Sequence, residues 1–200
     1  MKKVIVLLGL LITTSANAAE FTGSYDYYKT PNGGNNYDDG QGYSLGVRHE
    51  IAGDVSGRLD FSHITDIHFA SPEDVKGSWG ELRGYGASYS VIYNLPYSDK
   101  LSFNIWAGLG YFSWKFNENP HLQDNHVDVS VEPSLVYKAG IGAEHKLNEA
   151  WTLDASLGWM DTTIEKVARD DSGQVWNILD AGNELGLQFI TFRIGVKKRF

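Results

Sequence analysis

Eight segments of the chain alternate apolar and polar residues with a period of two. In the clearest segment, residues 84–95, the residues between the apolar ones are mainly glycine and serine, and the apolar set is Tyr85, Ala87, Tyr89, Val91, Tyr93 and Leu95. A β-strand with one apolar face produces this period, whereas a helix repeats every 3.6 residues. The other segments begin near residues 21, 43, 55, 101, 135, 151 and 190. The pattern predicts an all-β fold with eight antiparallel strands.

The connections between these segments alternate in length. Short ones lie near 52–54, 95–100 and 148–150, and long polar ones near 31–41, 66–81, 115–132 and 161–184. Short turns on one rim and long loops on the other are typical of barrels of the outer membrane. The alternative is a soluble barrel whose apolar face encloses a ligand. Because an eight-stranded interior holds little more than its own lining, the glycine- and serine-rich face should point inward. We therefore expect an eight-stranded antiparallel up-and-down transmembrane β-barrel.

The first 18 residues have the pattern of a secretory signal peptide. Lys2 and Lys3 precede the apolar run 4–12, and Ala16-Asn17-Ala18 forms a small-residue cleavage site. Cleavage after Ala18 would leave residues 19–200 as the barrel domain, exported to the cell outer membrane. No mature segment approaches 18 consecutive apolar residues, so a transmembrane helix is not expected.

Charge and cysteine content narrow the function classes. Without the signal peptide, 17 − 2 = 15 basic residues face 25 acidic ones, a formal charge of −10, which argues against a nucleic-acid partner. The absence of cysteine excludes a disulfide framework and a thiolate nucleophile. The long loops carry formal charges of −2, −3, −3 and −4, so the acidity lies on one rim. Beside phosphate-bearing lipopolysaccharide, such a rim favours bridging divalent cations, and we expect outer-membrane lipid and lipopolysaccharide as partners.

The end of the chain carries a family resemblance. A polar residue, a glycine two positions on and a terminal aromatic occur in Arg193-Ile194-Gly195-Val196-Lys197-Lys198-Arg199-Phe200. With Gly108–Trp114 and Gly140–Glu144, this resembles the membrane domain of outer membrane protein A and its small-barrel relatives. The resemblance implies that Arg193, Gly195 and Phe200 are recognised by the outer-membrane assembly machinery, although Lys198 stands where an apolar residue is usual. It leaves the function open, since such relatives include anchors, adhesins, small-solute channels and lipid-modifying enzymes.

The histidines do not indicate an enzyme. A lipid-modifying hydrolase of this size would resemble a barrel with His and Ser two residues apart on the lipid-facing side of a strand. That spacing is missing here, because Ser62 is adjacent to His63 and therefore points to the opposite face. We predict neither a catalytic site nor a cofactor. His121 and His126 lie near Asp124 and Asp128 and could share a metal ion if their loop folded back, but a solvated loop is the preferred interpretation and we predict no metal site.

The expected register brings charges together inside the barrel. A turn centred near residue 53 places Arg48 opposite Arg58, and one near 149 places Glu144 opposite Asp154. Like charges so opposed are unfavourable, and buried charges cost several kcal/mol unless paired. We therefore expect Arg–carboxylate bridges across the lumen, with Asp26, Asp60 and Arg193 placed to join them. Independent hydration of each charge is the alternative.

These observations predict an integral outer-membrane barrel with a polar, plugged lumen, whose acidic loops serve binding, adhesion or surface shielding towards an unknown extracellular ligand. A narrow channel for small or apolar solutes is the alternative, and a lipid-modifying hydrolase is the third class.

Overall fold

The computed structural model describes residues 19–31, 37–70, 78–118, 123–124, 126, 128–169, 175–176 and 184–199. Ten strands occur within these ranges: β1 (Glu20–Lys29), β2 (Gly40–Ala52), β3 (Val55–Ala70), β4 (Ser78–Pro96), β5 (Leu101–Glu118), β6 (Asp128–Val131), β7 (Ser134–Lys146), β8 (Trp151–Arg169), β9 (Val175–Trp176) and β10 (Glu184–Arg199). No helix in this part of the chain has the length and apolar character needed to cross a membrane.

Eight of these strands form a closed antiparallel barrel in the order β1-β2-β3-β4-β5-β7-β8-β10. The barrel closes because β10 pairs with β8 on one side and with β1 on the other. Short β6 and β9 pair with the far end of β8. The predicted eight-stranded barrel is therefore confirmed, and its closure leaves no free edge among the eight strands.

The side chains alternate between the two faces of the wall. The outward face is apolar over most of the barrel height, and Leu45 and Ile194 are 71% and 63% exposed there. At the height of this apolar band, the inward face of the wall carries buried serines and charged residues. This confirms that the polar face points inward, as expected for a barrel whose outer surface contacts lipid.

The strands run further than the sequence pattern indicated. β3 extends to Ala70, β5 to Glu118 and β8 to Arg169, so the predicted loops 66–81, 115–132 and 161–184 are in part strand. In these extensions the alternation reverses: Ile67, Phe69 and Leu82 point inward and are buried, while polar residues point outward. The prediction of a wholly polar interior is wrong for this end, because a wall that leaves the membrane must turn its apolar side chains away from water.

Candidate functional site: a charged lumen beneath an apolar core

The lumen nearest the short turns holds the turn-side cluster, which consists of Arg48, Glu144, Asp154 and Lys197. Arg48 Nη1 donates to both carboxylate oxygens of Glu144, at 2.8 and 3.0 Å, across the barrel from β2 to β7. Lys197 Nζ lies 2.6 Å from Glu144 Oε1 and 3.1 Å from Asp154 Oδ2. Asn104 also donates to Glu144. Two cations thus pair with two carboxylates, as buried charges require.

The central cluster lies one layer deeper and consists of Asp26, Arg58, Asp60 and Arg193. Arg193 Nε donates to Asp26 Oδ1 at 2.5 Å, and its Nη1 donates to Asp60 Oδ2 at 3.1 Å. Arg58 Nε donates to the same Asp60 oxygen at 2.9 Å. Both aspartates are 2% exposed, and Ser44 donates to Asp26. This cluster joins β1, β3 and β10 through charge-assisted hydrogen bonds.

The strands pair in the predicted register, but only some of the predicted ion pairs across the lumen form. Arg48 pairs with Arg58 and Glu144 with Asp154, with a bulge between Glu50 and Ala52 beside the Gly53 turn. Arg48 does reach Glu144. Arg58 instead binds Asp60, two residues on in its own strand, and Asp154 binds Lys197 on the neighbouring strand. Side-chain reach, which spacing does not report, selects these nearer partners.

Two buried lysines were not predicted as members of the lumen network. Lys197 lies two residues beyond Gly195 on the inward face, so the alternation that placed Arg193 could have found it. Lys138 Nζ lies 3.5 Å from Ser88 Oγ and 4.9 Å from the centre of the Phe112 ring. Within the described part of the chain Lys138 has no carboxylate within salt-bridge distance. It marks the boundary between the charged and the apolar lumen.

Aromatic side chains of β5 are buried in the middle of the lumen. The Trp106 ring lies against two glycines, since a Cβ at Gly140 or Gly158 would come within 2.5 or 2.7 Å of its Cζ2 atom. Phe112 and Trp114 follow on the same face of β5, and Trp114 donates to Ser134. Glycine is needed at these positions of the neighbouring strands β7 and β8, because any side chain there would occupy the volume of the indole.

Beyond these rings lies the loop-side core, a continuous apolar cluster inside the barrel. Its fully buried members include Ile64, Ile67, Leu82, Val136, Met160, Leu187 and Phe189. Tyr28 and Tyr37 stack edge-on against Phe189 with ring centroids 5.9 and 5.5 Å away. Apolar side chains buried to this extent pack closely and leave little free volume among them.

Polar residues form a hydrogen-bonded network on the outer wall around the loop-side core. Tyr27 donates to Asp39, and Gln41 donates to Asp66, which has a positive φ of 62° at a bulge. Glu81 accepts two hydrogen bonds from Arg83, at 2.7 and 2.8 Å. The Arg83 guanidinium holds the pKa of Glu81 below its ordinary value, against the opposing effect of burial.

The remaining predicted site residues are placed as follows. Gly195 packs against β1, where a Cβ would lie 2.7 Å from the Gly23 carbonyl oxygen, and Phe200 lies outside the described residues. His121 also lies outside them, and His126 has a positive φ of 54°. Among the described residues no group of three or more His, Asp or Glu side chains could hold a metal ion.

A closed barrel with an apolar outer band and a charged interior defines an integral outer-membrane β-barrel protein. The chain belongs to the family described as outer membrane protein beta-barrel domain, which it matches over residues 4–200. Its location is the cell outer membrane. No curated protein matches the sequence.

Solved structures share the fold at low sequence identity. The outer membrane protein OprG from Pseudomonas aeruginosa is similar with a TM-score of 0.70 and 11% identity, over 93% of this chain and 97% of that one. Neisserial surface protein A gives 0.60 and 12%, over 93% and 99%. A major outer membrane protein from Thermus thermophilus gives 0.55 and 17%, over 91% and 99%. These likenesses extend over nearly the whole of each chain.

Proposed function

We propose that this barrel is a surface-display protein with a closed lumen, whose extracellular end binds an external ligand or shields the surface. The observation that carries the proposal is that buried side chains occupy both halves of the lumen in the described part of the chain. The two charged clusters cross the turn-side half, and the loop-side core fills the other. Among the described residues, such pairing and packing support a closed lumen, because an eight-stranded barrel has little interior volume beyond its own lining side chains. The proposal assigns no catalytic step to the protein.

The construction of the extracellular end supports display. The wall of β3, β4, β5 and β8 continues beyond the apolar band, and β6 adds a further strand to β8 there. The loop-side core packs this extension from within. A packed and hydrogen-bonded rim presents loops from a rigid scaffold, the arrangement in which loops most often carry binding.

Conductance tests the closed lumen directly. The purified full chain in planar bilayers with 1 M KCl should give no stepwise openings above the bare bilayer. The double variant Arg48→Ala/Lys197→Ala would conduct only if the loop-side core also opened. We therefore expect it to show no openings either. Stable openings from the wild-type protein would overturn the proposal.

A narrow route for apolar solutes is the second candidate, and the apolar lining of the loop-side core favours it. This function would require the core to open while the charged clusters stay paired. Uptake of an uncharged apolar dye into proteoliposomes, with no accompanying ion conductance, would support this candidate over closed display. Uptake equal to that of empty liposomes would remove it.

The assembly machinery is the partner that the chain ending implies. We expect deletion of Phe200 to lower the amount of folded barrel in the outer membrane, while substitution of the preceding Arg199 by Ala leaves it unchanged. Heat-dependent gel mobility of membrane extracts measures both. Equal folded amounts of wild-type protein and the Phe200 deletion would contradict the expectation.

A further inference from the structure

Two basic residues face each other on the outer wall just beyond the apolar band. Arg83 on β4 pairs in register with Lys115 on β5, and both point outward. Arg83 pairs with Glu81 and also lies in the field of the Asp66 carboxylate, whereas Lys115 makes no hydrogen bond or ion pair within the described ranges of the chain. Like charges directly opposed in a sheet are unfavourable. An external anion between them would remove that repulsion.

An apolar groove lies on the membrane side of this pair. It has a volume of about 570 Å³ and is lined chiefly by Tyr43, Leu45, Phe61, His63, Tyr85 and Ala87. The groove forms because Ala87 is small while the neighbouring outward side chains are large. The His63 ring stacks on Tyr85 with centroids 4.4 Å apart at 9°, and its buried Nε2 atom has no hydrogen-bond partner among the residues that the structure describes.

The groove and the basic pair form one continuous surface. Tyr85 ends the groove, and Arg83 is the next outward residue of the same strand, with Lys115 beside it. The geometry points to a binding site for a phosphorylated lipid, with a hydrocarbon chain in the groove and a phosphate between Arg83 and Lys115. A guanidinium and an ammonium side by side are a favourable arrangement for phosphate oxygens.

The charge distribution makes the site one-sided. On the opposite wall Glu165 pairs with Glu184, so the same rim repels phosphate there. Because the long-loop rim lies at the extracellular leaflet, the lipid is the phosphorylated glycolipid of that leaflet, lipopolysaccharide, rather than a phospholipid of the inner leaflet. The site lies outside the lumen and is independent of whether the barrel conducts.

Lipid titration of the full chain in detergent, followed by native mass spectrometry, tests the site. Bisphosphorylated lipid A should bind the wild-type protein about tenfold more tightly than the Arg83→Gln/Lys115→Gln variant. Lys29→Gln removes an outward lysine from the same rim on β1 and should bind like the wild type. Ala87→Phe fills the groove and should weaken binding independently of phosphate.

Two comparison lipids decide the chemistry. Lipid A without phosphates should bind the wild type and the double variant equally. Equal binding of bisphosphorylated lipid A to those two proteins would overturn the phosphate site. Phosphatidylglycerol binding to the wild type as tightly as lipid A would overturn the assignment to the glycolipid. Heat-dependent gel mobility of each variant shows that it is folded.

Discussion

The two halves of the barrel interior differ in chemistry although the same strands build both. The turn-side half is filled by ion pairs such as Arg48 with Glu144, whereas the loop-side core is built from side chains such as Ile64 and Phe189. The outward side chains change at the same height: they are apolar and face lipid around the turn-side half, and they are polar around the loop-side core. The surroundings of the wall therefore decide which alternate side chain points inward. Hydrocarbon outside permits charges inside, and water outside requires an apolar interior.

The largest expected effect comes from leaving charges unpaired in the turn-side half. Arg193→Ala would leave buried Asp26 without its ion-pair partner and Asp60 with Arg58 alone, and should lower the free energy of unfolding by about 3–5 kcal/mol. Urea unfolding in lipid vesicles, followed by tryptophan fluorescence, measures the loss. The matched control is Arg199→Ala, because Arg199 is 59% exposed in its pair with Glu20 and should cost about 1 kcal/mol or less. Similar losses for both variants would contradict the role of the buried cluster.

A charge on the outer wall tests where the pattern reverses. Phe61 and His68 both point outward from β3, but Phe61 lies within the apolar band and His68 beyond it. Phe61→Lys should destabilise the barrel by about 2–4 kcal/mol, as charges facing hydrocarbon do. His68→Lys should change stability by about 0.5 kcal/mol or less. The same vesicle assay measures both variants. Comparable losses of stability at the two positions would show that both lie in one environment and would contradict the reversal of apolar and polar faces along β3.

The smallest effect separates core packing from lipid contact. Ile164 is 2% exposed in the loop-side core, and Ile164→Val should cost about 0.5–1.5 kcal/mol because the lost methyl leaves a cavity. Ile194→Val on the lipid face should cost less, since lipid chains fill the space. Equal costs, measured by the same unfolding curves, would show that the loop-side core is loosely packed.

Much of the fold could be predicted because it depends on local rules. Alternation gives the strands, and the turn near Gly53 gives the register that opposes Arg48 to Arg58. The choice of ion-pair partner could not be predicted in the same way. Arg58 binds Asp60 rather than a residue across the lumen, because the outcome depends on side-chain length and on how far neighbouring strands are staggered.

The strand extensions were missed for a different reason. Beyond Tyr85 on β4, outward residues such as Arg83 and Glu81 are polar, so a rule that expects apolar outward residues assigns the segment to a loop. The inward residue Leu82 keeps the period of two but with the opposite assignment of faces. The period of two identifies a strand. Deciding which of its faces points into the barrel also requires knowing whether lipid or water lies outside the wall.

The central cluster has a consequence for how the barrel folds. Arg193 on the last strand binds Asp26 on the first, at a separation of 167 residues along the chain. Until the final strand has docked, Asp60 has only Arg58 of its own strand as an ion-pair partner, and Asp26 lacks Arg193, so a seven-stranded intermediate leaves the Asp26 carboxylate without its cation. Contacts so distant in sequence form late and slowly. The rate-limiting step of folding should therefore be arrival of the last strand, which closes the barrel and completes the central cluster at the same time.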